Sequence, residues 1–348
     1  MFLRKALMAV FLVFVLAVPA VAAELSAPKV PDFAQENMPQ TTGTFGEGLL
    51  ELLQKGICLL QPELEAGIQS CSGILISAVV FSLLSVFSEK MKGIVSLAGA
   101  AAIAAMLFQN TNGMVGYASD AVWEICEYGK LLCPVMTTAL AAQGGITASA
   151  ALYTGTITFI TLLSMLVSRV FLPMVKLFLV FSGAYCALGE EALKKIADSV
   201  KSVLSWLLKT MLIVFTTYLS ISGVVSGTTD AAALKAAKVT ISSVVPVVGG
   251  ILSDASESFL VSMSLMKNAA GVYGILATLA VFLGPFVKVG AQYLLLKLTA
   301  AICGLFGNKR ISALVADFST ALGLLLAMVA SGCLLVLIST ICFMKGTV

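Results

Sequence analysis

Eight apolar runs, each close to bilayer-spanning length and each with at most one charge, decide what this chain can fold into. They cover residues 70–88, 93–109, 146–168, 170–189, 207–226, 269–287, 289–306 and 318–343. A helix rises about 1.5 Å per residue, so about 20 residues cross the roughly 30 Å of bilayer hydrocarbon. A soluble domain of 348 residues needs more charge than the 11% present here to cover its surface. The expected fold class is therefore an all-α polytopic membrane protein with about eight transmembrane helices. The shortest run, 93–109, and the run 289–306, which holds Lys297, are the weakest of the eight.

The first 23 residues read as a signal peptide. Arg4 and Lys5 precede the apolar stretch from Ala6 to Val18, and Pro19 leads into Ala20-Val21-Ala22-Ala23, with small residues where a signal peptidase cuts. The alternative is an uncleaved first helix. Residues 24–69 then form an extracytoplasmic segment, interrupted by Pro28, Pro31, Pro39 and Pro62. Its second half is amphipathic, with Leu49, Leu52, Leu53 and Ile57 at helical spacing. Residues 70–348 form the polytopic membrane domain.

Lysine and arginine set the orientation. With the mature N-terminus outside, the first span ends inside at Glu89-Lys90-Met91-Lys92, the third at Arg169, the fifth before Lys235 and Lys238, and the seventh at Lys309-Arg310. Lys194, Lys195 and Lys201 then fall outside, against the rule, offset by Glu190, Glu191 and Asp198. The C-terminus is expected outside.

Two proline motifs recur at an offset of 112 residues. Cys133-Pro134-Val135-Met136 matches Val245-Pro246-Val247-Val248, and Pro173-Met174-Val175-Lys176 matches Pro285-Phe286-Val287-Lys288. The halves 130–227 and 242–346 would each hold three spans. An odd number inverts the second copy, as in secondary transporters. The competing reading is chance self-similarity of apolar sequence.

The composition excludes several chemistries. The chain has no histidine, hence no Ser-His-Asp or Cys-His arrangement and no histidine metal site or proton relay. It has neither a phosphate-binding Gly-x4-Gly-Lys-Ser/Thr loop nor a Cys-x2-Cys pair. No catalytic residue, metal or cofactor is expected. Of the eight cysteines, Cys126 and Cys133 lie about 10 Å apart on a continuous helix, too far for a disulfide unless Pro134 breaks it.

Two groups of residues remain as candidate sites. Lys176 and Lys288, beside prolines at span ends, read either as ion or substrate contacts or as side chains snorkelling to headgroups. The segment holding Pro246, Gly249, Gly250, Asp254 and Glu257 reads either as a re-entrant hairpin whose acids face water, or as a surface helix capped by Ser253 and Asp254. Gly223-Val-Val-Ser-Gly227 adds a small-xxx-small pattern that permits close helix approach.

The run from Lys235 through Lys238, Pro246, Gly249-Gly250 and Asp254 to Glu257 resembles the central signature of the stage III sporulation protein AE family. Leu84-Ser-Val-Phe-Ser88 and Leu265-Met-Lys267-Asn268-Ala-Ala-Gly271 extend the resemblance loosely over about 70–348. The polar stretch before the first span is shorter here than that family leads one to expect. The resemblance implies a non-enzymatic component of the channel-like complex between mother cell and forespore in an endospore former. The protein would sit in the mother-cell membrane facing the forespore. The implied partners are the other stage III sporulation A proteins and the forespore stage II sporulation Q protein, with membrane lipid and no nucleic acid. A free-standing secondary transporter or permease on inverted repeats is the alternative. An intramembrane serine–lysine enzyme is weaker still, since no Ser/Lys pair stands at a compelling position.

Overall fold

The computed structural model describes residues 30–39, 45–87, 92–143, 145–244, 249–305 and 309–345, and all regular structure among them is helical. A single turn, α1 (Asp32–Gln35), precedes α2 (Phe45–Phe87), α3 (Lys92–Ala142), α4 (Ile146–Leu166), α5 (Leu172–Leu188), α6 (Glu191–Val244), α7 (Gly249–Leu305) and α8 (Lys309–Lys345). A π-helical turn, Val167–Phe171, joins α4 to α5 without interruption.

Among the described residues, five helices are long and apolar enough to cross a membrane: Phe45–Leu84, Ile146–Leu188, Glu191–Leu219, Ala270–Leu305 and Arg310–Met344. This is fewer than the eight runs expected, mainly because neighbouring runs merge into single helices. The pair 146–168 and 170–189 is one helix of 43 residues, and 269–287 joins 289–306 within α7. Run 93–109 lies in α3, which is not among the five.

The merging has local causes. Pro173 lacks the N–H that would bond to Arg169, and its ring crowds the preceding turn. The π turn widens that place, with the Leu172 N–H reaching back to the Val167 carbonyl, and the helix continues. Lys288 interrupts nothing, because its side chain is satisfied by neighbouring helices. Likewise α2 passes through 69–70 without a break. α3 runs through Pro134, so Cys126 and Cys133 stay apart, and all eight cysteines are free thiols. The real break after α5 is at Gly189, whose φ of 77° closes the helix with an N–H bond to Tyr185. A side chain there would be strained and would also strike Arg310.

The long helices alternate in direction around α8, the most enclosed of the five candidate spans. α3 runs parallel to α8, with Phe108 against Phe318 and Ile125 beside Gly332. α4–α5 runs antiparallel to it, from the buried Thr156–Ser339 hydrogen bond at 3.0 Å to Cys186, whose thiol donates to the Arg310 carbonyl. α7 is also antiparallel: Ser319 donates to the Tyr293 carbonyl at 3.0 Å and Ser312 to that of Ala300 at 2.8 Å. α6 folds back on α4 through Phe215 on Phe159 and through Tyr218, whose hydroxyl donates to the Ala151 carbonyl.

This geometry corrects the inverted repeat. α5 and α7 are both antiparallel to α8, so the Pro173 and Pro285 helices run in the same direction. Merging leaves an even number of helices per half, and an even number keeps a second copy upright. It also corrects the charge pattern. Arg169 lies within a helix rather than at a span end, and Lys194 and Lys195 stand at the same end of the bundle as Arg310. The ends of α2, α5 and α7 and the starts of α3, α6 and α8 lie there, with Lys92, Lys194, Lys195, Lys309 and Arg310 in the first turns of those helices. The connections 143–145 and 245–248 contain no charge.

Candidate functional site

The α2–α7 contact is a parallel seam built on glycine sockets. A Cβ on Gly48 would come within 2.9 Å of Leu276, and one on Gly56 within 3.0 Å of Leu283. At Gly67 it would overlap Leu295 and approach the Gln292 Oε1 to 2.9 Å. The absence of side chains on α2 lets the α7 leucines seat against its backbone.

Between these sockets the seam is polar. Lys288 Nζ lies 3.9 Å from Glu63 Oε1 and 4.7 Å from the ring centroid of Tyr117 on α3. Gly284 faces the same Tyr117, whose hydroxyl lies 3.6 Å from where a Cβ on the glycine would stand. One turn beyond Lys288, Gln292 is 4% exposed, and its Nε2 finds no acceptor among the described residues. A carboxylate, an ammonium, a phenol and a buried amide therefore meet where three helices join. Among the described residues no cluster of His, Cys, Asp and Glu could hold a metal.

The ion pair is long and its side chains are about one-third exposed, so its contribution is small. Lys288→Gln is expected to lower stability in bicelles by less than about 1 kcal/mol. Glu63→Lys, which sets two ammonium groups together, is expected to cost more, and exchanging the two charges to recover most of the loss. Unfolding titrations of the four proteins check this; an exchange no better than Glu63→Lys alone would show that the groups do not interact.

Of the candidates named from sequence, only Lys288 and the buried Pro285 one turn before it lie in this seam. Their repeat counterparts Pro173 and Lys176 are exposed on α5, and Pro134 is exposed on α3. Gly249, Gly250, Asp254 and Glu257 occupy the first turns of α7, so Ser253 and Asp254 stand inside the helix rather than capping it. Pro246, and the side chains of those four residues, lie outside the described set. Glu63, Tyr117 and Gln292 were not singled out by sequence. The available signal was Glu63 four residues before Gly67 on one helical face.

Comparisons with known proteins agree with each other. The family model described as Stage III sporulation protein AE matches residues 33–346. Stage III sporulation protein AE of Bacillus subtilis (strain 168) is 23% identical over 188 residues, 54% of this chain and 47% of that protein. The match thus spans about half the length of that relative. No solved structure matches the chain.

Proposed function

The chain belongs to the stage III sporulation protein AE family, and on that premise we propose that it is a non-enzymatic membrane component of the complex joining mother cell and forespore. The observation that carries this reading is the family match over nearly the whole chain, coupled to a bundle with five apolar helices of membrane-crossing length. The protein works by assembly and passage rather than by chemistry. Among the described residues its polar contacts are three partly exposed ion pairs and mostly single hydroxyls bonded to carbonyls, an arrangement suited to holding helices together. The other stage III sporulation A proteins and the forespore stage II sporulation Q protein are its proposed partners.

Charge gives the orientation. The bundle end bearing Lys92, Lys194, Lys195, Lys309 and Arg310 is cytoplasmic, in the mother cell. With α3 crossing as well as the five apolar helices, the start of α2 and the end of α8 then face the forespore across the intermembrane space. This agrees with a secreted N-terminus, and it removes the conflict over Lys194 and Lys195.

Deletion of the gene in its host, followed by fluorescence microscopy through sporulation, tests the role. Engulfment is expected to finish, after which forespores shrink and lose late gene expression. Normal spores would sink the proposal and return the secondary transporter as the reading to test. In the same strain, a cysteine-reactive impermeant label should reach a cysteine placed after Lys345 but not one at Glu190; the reverse pattern would invert the orientation.

A further inference from the structure

The perimeter of the bundle is mostly aliphatic. α2 exposes Ile68, Ile76 and Leu83, α5 exposes Leu177 and Val180, α7 exposes Phe286, Leu294 and Leu298, and α8 exposes Leu334 and Ile341. Polar and charged residues interrupt it: Lys176 on α5 and Lys297 on α7 are exposed, and two further places carry opposite charge. On α3 the outward stripe is Gln109, Asn112, Gly113, Gly116 and Asp120, all exposed, and nothing lies within 4 Å of where a Cβ on either glycine would stand. On α4–α5 and α6 the exposed residues include Arg169 and Lys209. Among the described residues, none of Asp120, Arg169 and Lys209 is in an ion pair.

The two places stand at one height. Ile125 and Leu163 both pack on Gly332, which fixes a common level. Asp120 is five residues from Ile125 and Arg169 six from Leu163, each towards the start of α8, rises of about 7.5 and 9 Å. Phe215 lies against Phe159, which brings Lys209 to within about 6 Å of the same height. α3 and α6 each pack on α8 and on α4–α5 but at most marginally on one another, so Asp120 and Lys209 lie on different sides of the bundle. Within a single copy none of the three charges pairs with another. Charges at mid-height on an apolar perimeter are costly to leave facing lipid. The open glycines of α3 let another helix approach closely.

We propose that the Asp120 flank of α3 docks against the Arg169–Lys209 flank of a second copy of this chain, so that copies assemble head to tail into a ring. The contact is heterologous: each copy offers one acidic and one basic flank at equal height, and repetition about an axis closes the ring. The amides of Gln109 and Asn112 enter the interface beside Asp120. This goes beyond the sporulation role and holds whether or not that role is correct.

The test is crosslinking of the full chain in membranes of an expression host, with the exposed Cys58 changed to serine. Asp120→Cys combined with Lys209→Cys is expected to give a ladder of dimers, trimers and larger species with a short bifunctional maleimide, absent from either single variant. A dimer formed equally well by Asp120→Cys alone would mean that α3 faces α3, and would overturn the proposal. No crosslink from the double variant would overturn it too. A charge-swap experiment, read by native gel, guards against an uninformative substitution. Asp120→Lys is expected to reduce oligomer at least fivefold. Mixing it with copies carrying Arg169→Glu and Lys209→Glu is expected to restore mixed pairs. If Asp120→Lys leaves the oligomer unchanged while the basic-flank variant sheds bound anionic lipid, the basic flank serves headgroups and the ring is wrong.

Discussion

Phe318→Ala is expected to lower the unfolding free energy in bicelles by about 3 kcal/mol. Phe318 is fully buried on α8, and its ring meets Phe108 of α3 edge to face, with centroids 5.1 Å apart and planes at 88°. Phe108 in turn lies over Gly183 of α5, 3.3 Å from where a Cβ would stand. The residue therefore closes the junction of α3, α5 and α8. In a soluble core such a truncation loses both transfer free energy and packing, about 3–5 kcal/mol. Inside a membrane the transfer term is reduced, since lipid is as apolar as the core, and lost dispersion contacts carry most of the cost. The expected effect sits at the lower end for that reason. Phe318→Leu, which keeps most of the volume, is expected to cost under about 1.5 kcal/mol. Equal losses for both would mean that the aromatic contact, not the filled volume, holds the junction.

The helical class was legible because apolar content has one outlet when backbone groups cannot meet water. The count of spans was not, and Arg169, Pro173 and Lys288 show why. A charge or a proline within an apolar run reads as a boundary, since each is costly inside a straight isolated helix. In the folded bundle Pro173 is absorbed by the π turn at Val167–Phe171, and Lys288 by Glu63 and the Tyr117 ring. Both remedies depend on residues distant in sequence or on a change of helical pitch, and no periodicity test registers either. The inverted repeat failed with the count, because its parity rested on breaks at residues 169 and 288. The polar seam was half visible. Lys288 stood out as a lone charge in an apolar run, whereas Glu63 lay in a segment read as extracytoplasmic, and only tertiary contact joins them. The charged end of the bundle is consistent because Gly189, alone among the described glycines in having a positive φ, makes the turn that brings the start of α6, with Lys194 and Lys195, to the Arg310 end.

Gly155→Leu is expected to release α6 from α4 and to cost at least as much as Phe318→Ala. The Tyr218 ring lies directly on the Cα of Gly155, where a Cβ would overlap it. The Tyr218 hydroxyl is anchored by donating to the Ala151 carbonyl at 3.0 Å, and its ring also touches Phe159, with centroids 5.9 Å apart. An aromatic ring held at both ends cannot give way as an aliphatic tip can. Overpacking by a whole side chain therefore adds strain of about 1–3 kcal/mol to the loss of the hydrogen bond and the ring contacts. The two helices also need each other for direction, because the α5–α6 turn at Gly189–Glu190 is short and gives α6 little guidance beyond reversal. Shortening the tyrosine should relieve the clash, so Gly155→Leu with Tyr218→Ala is expected to regain about half of the lost stability, measured by the same unfolding titration. A double variant weaker than Gly155→Leu alone would show that Tyr218 holds α6 by its hydrogen bond more than by its fit to the glycine.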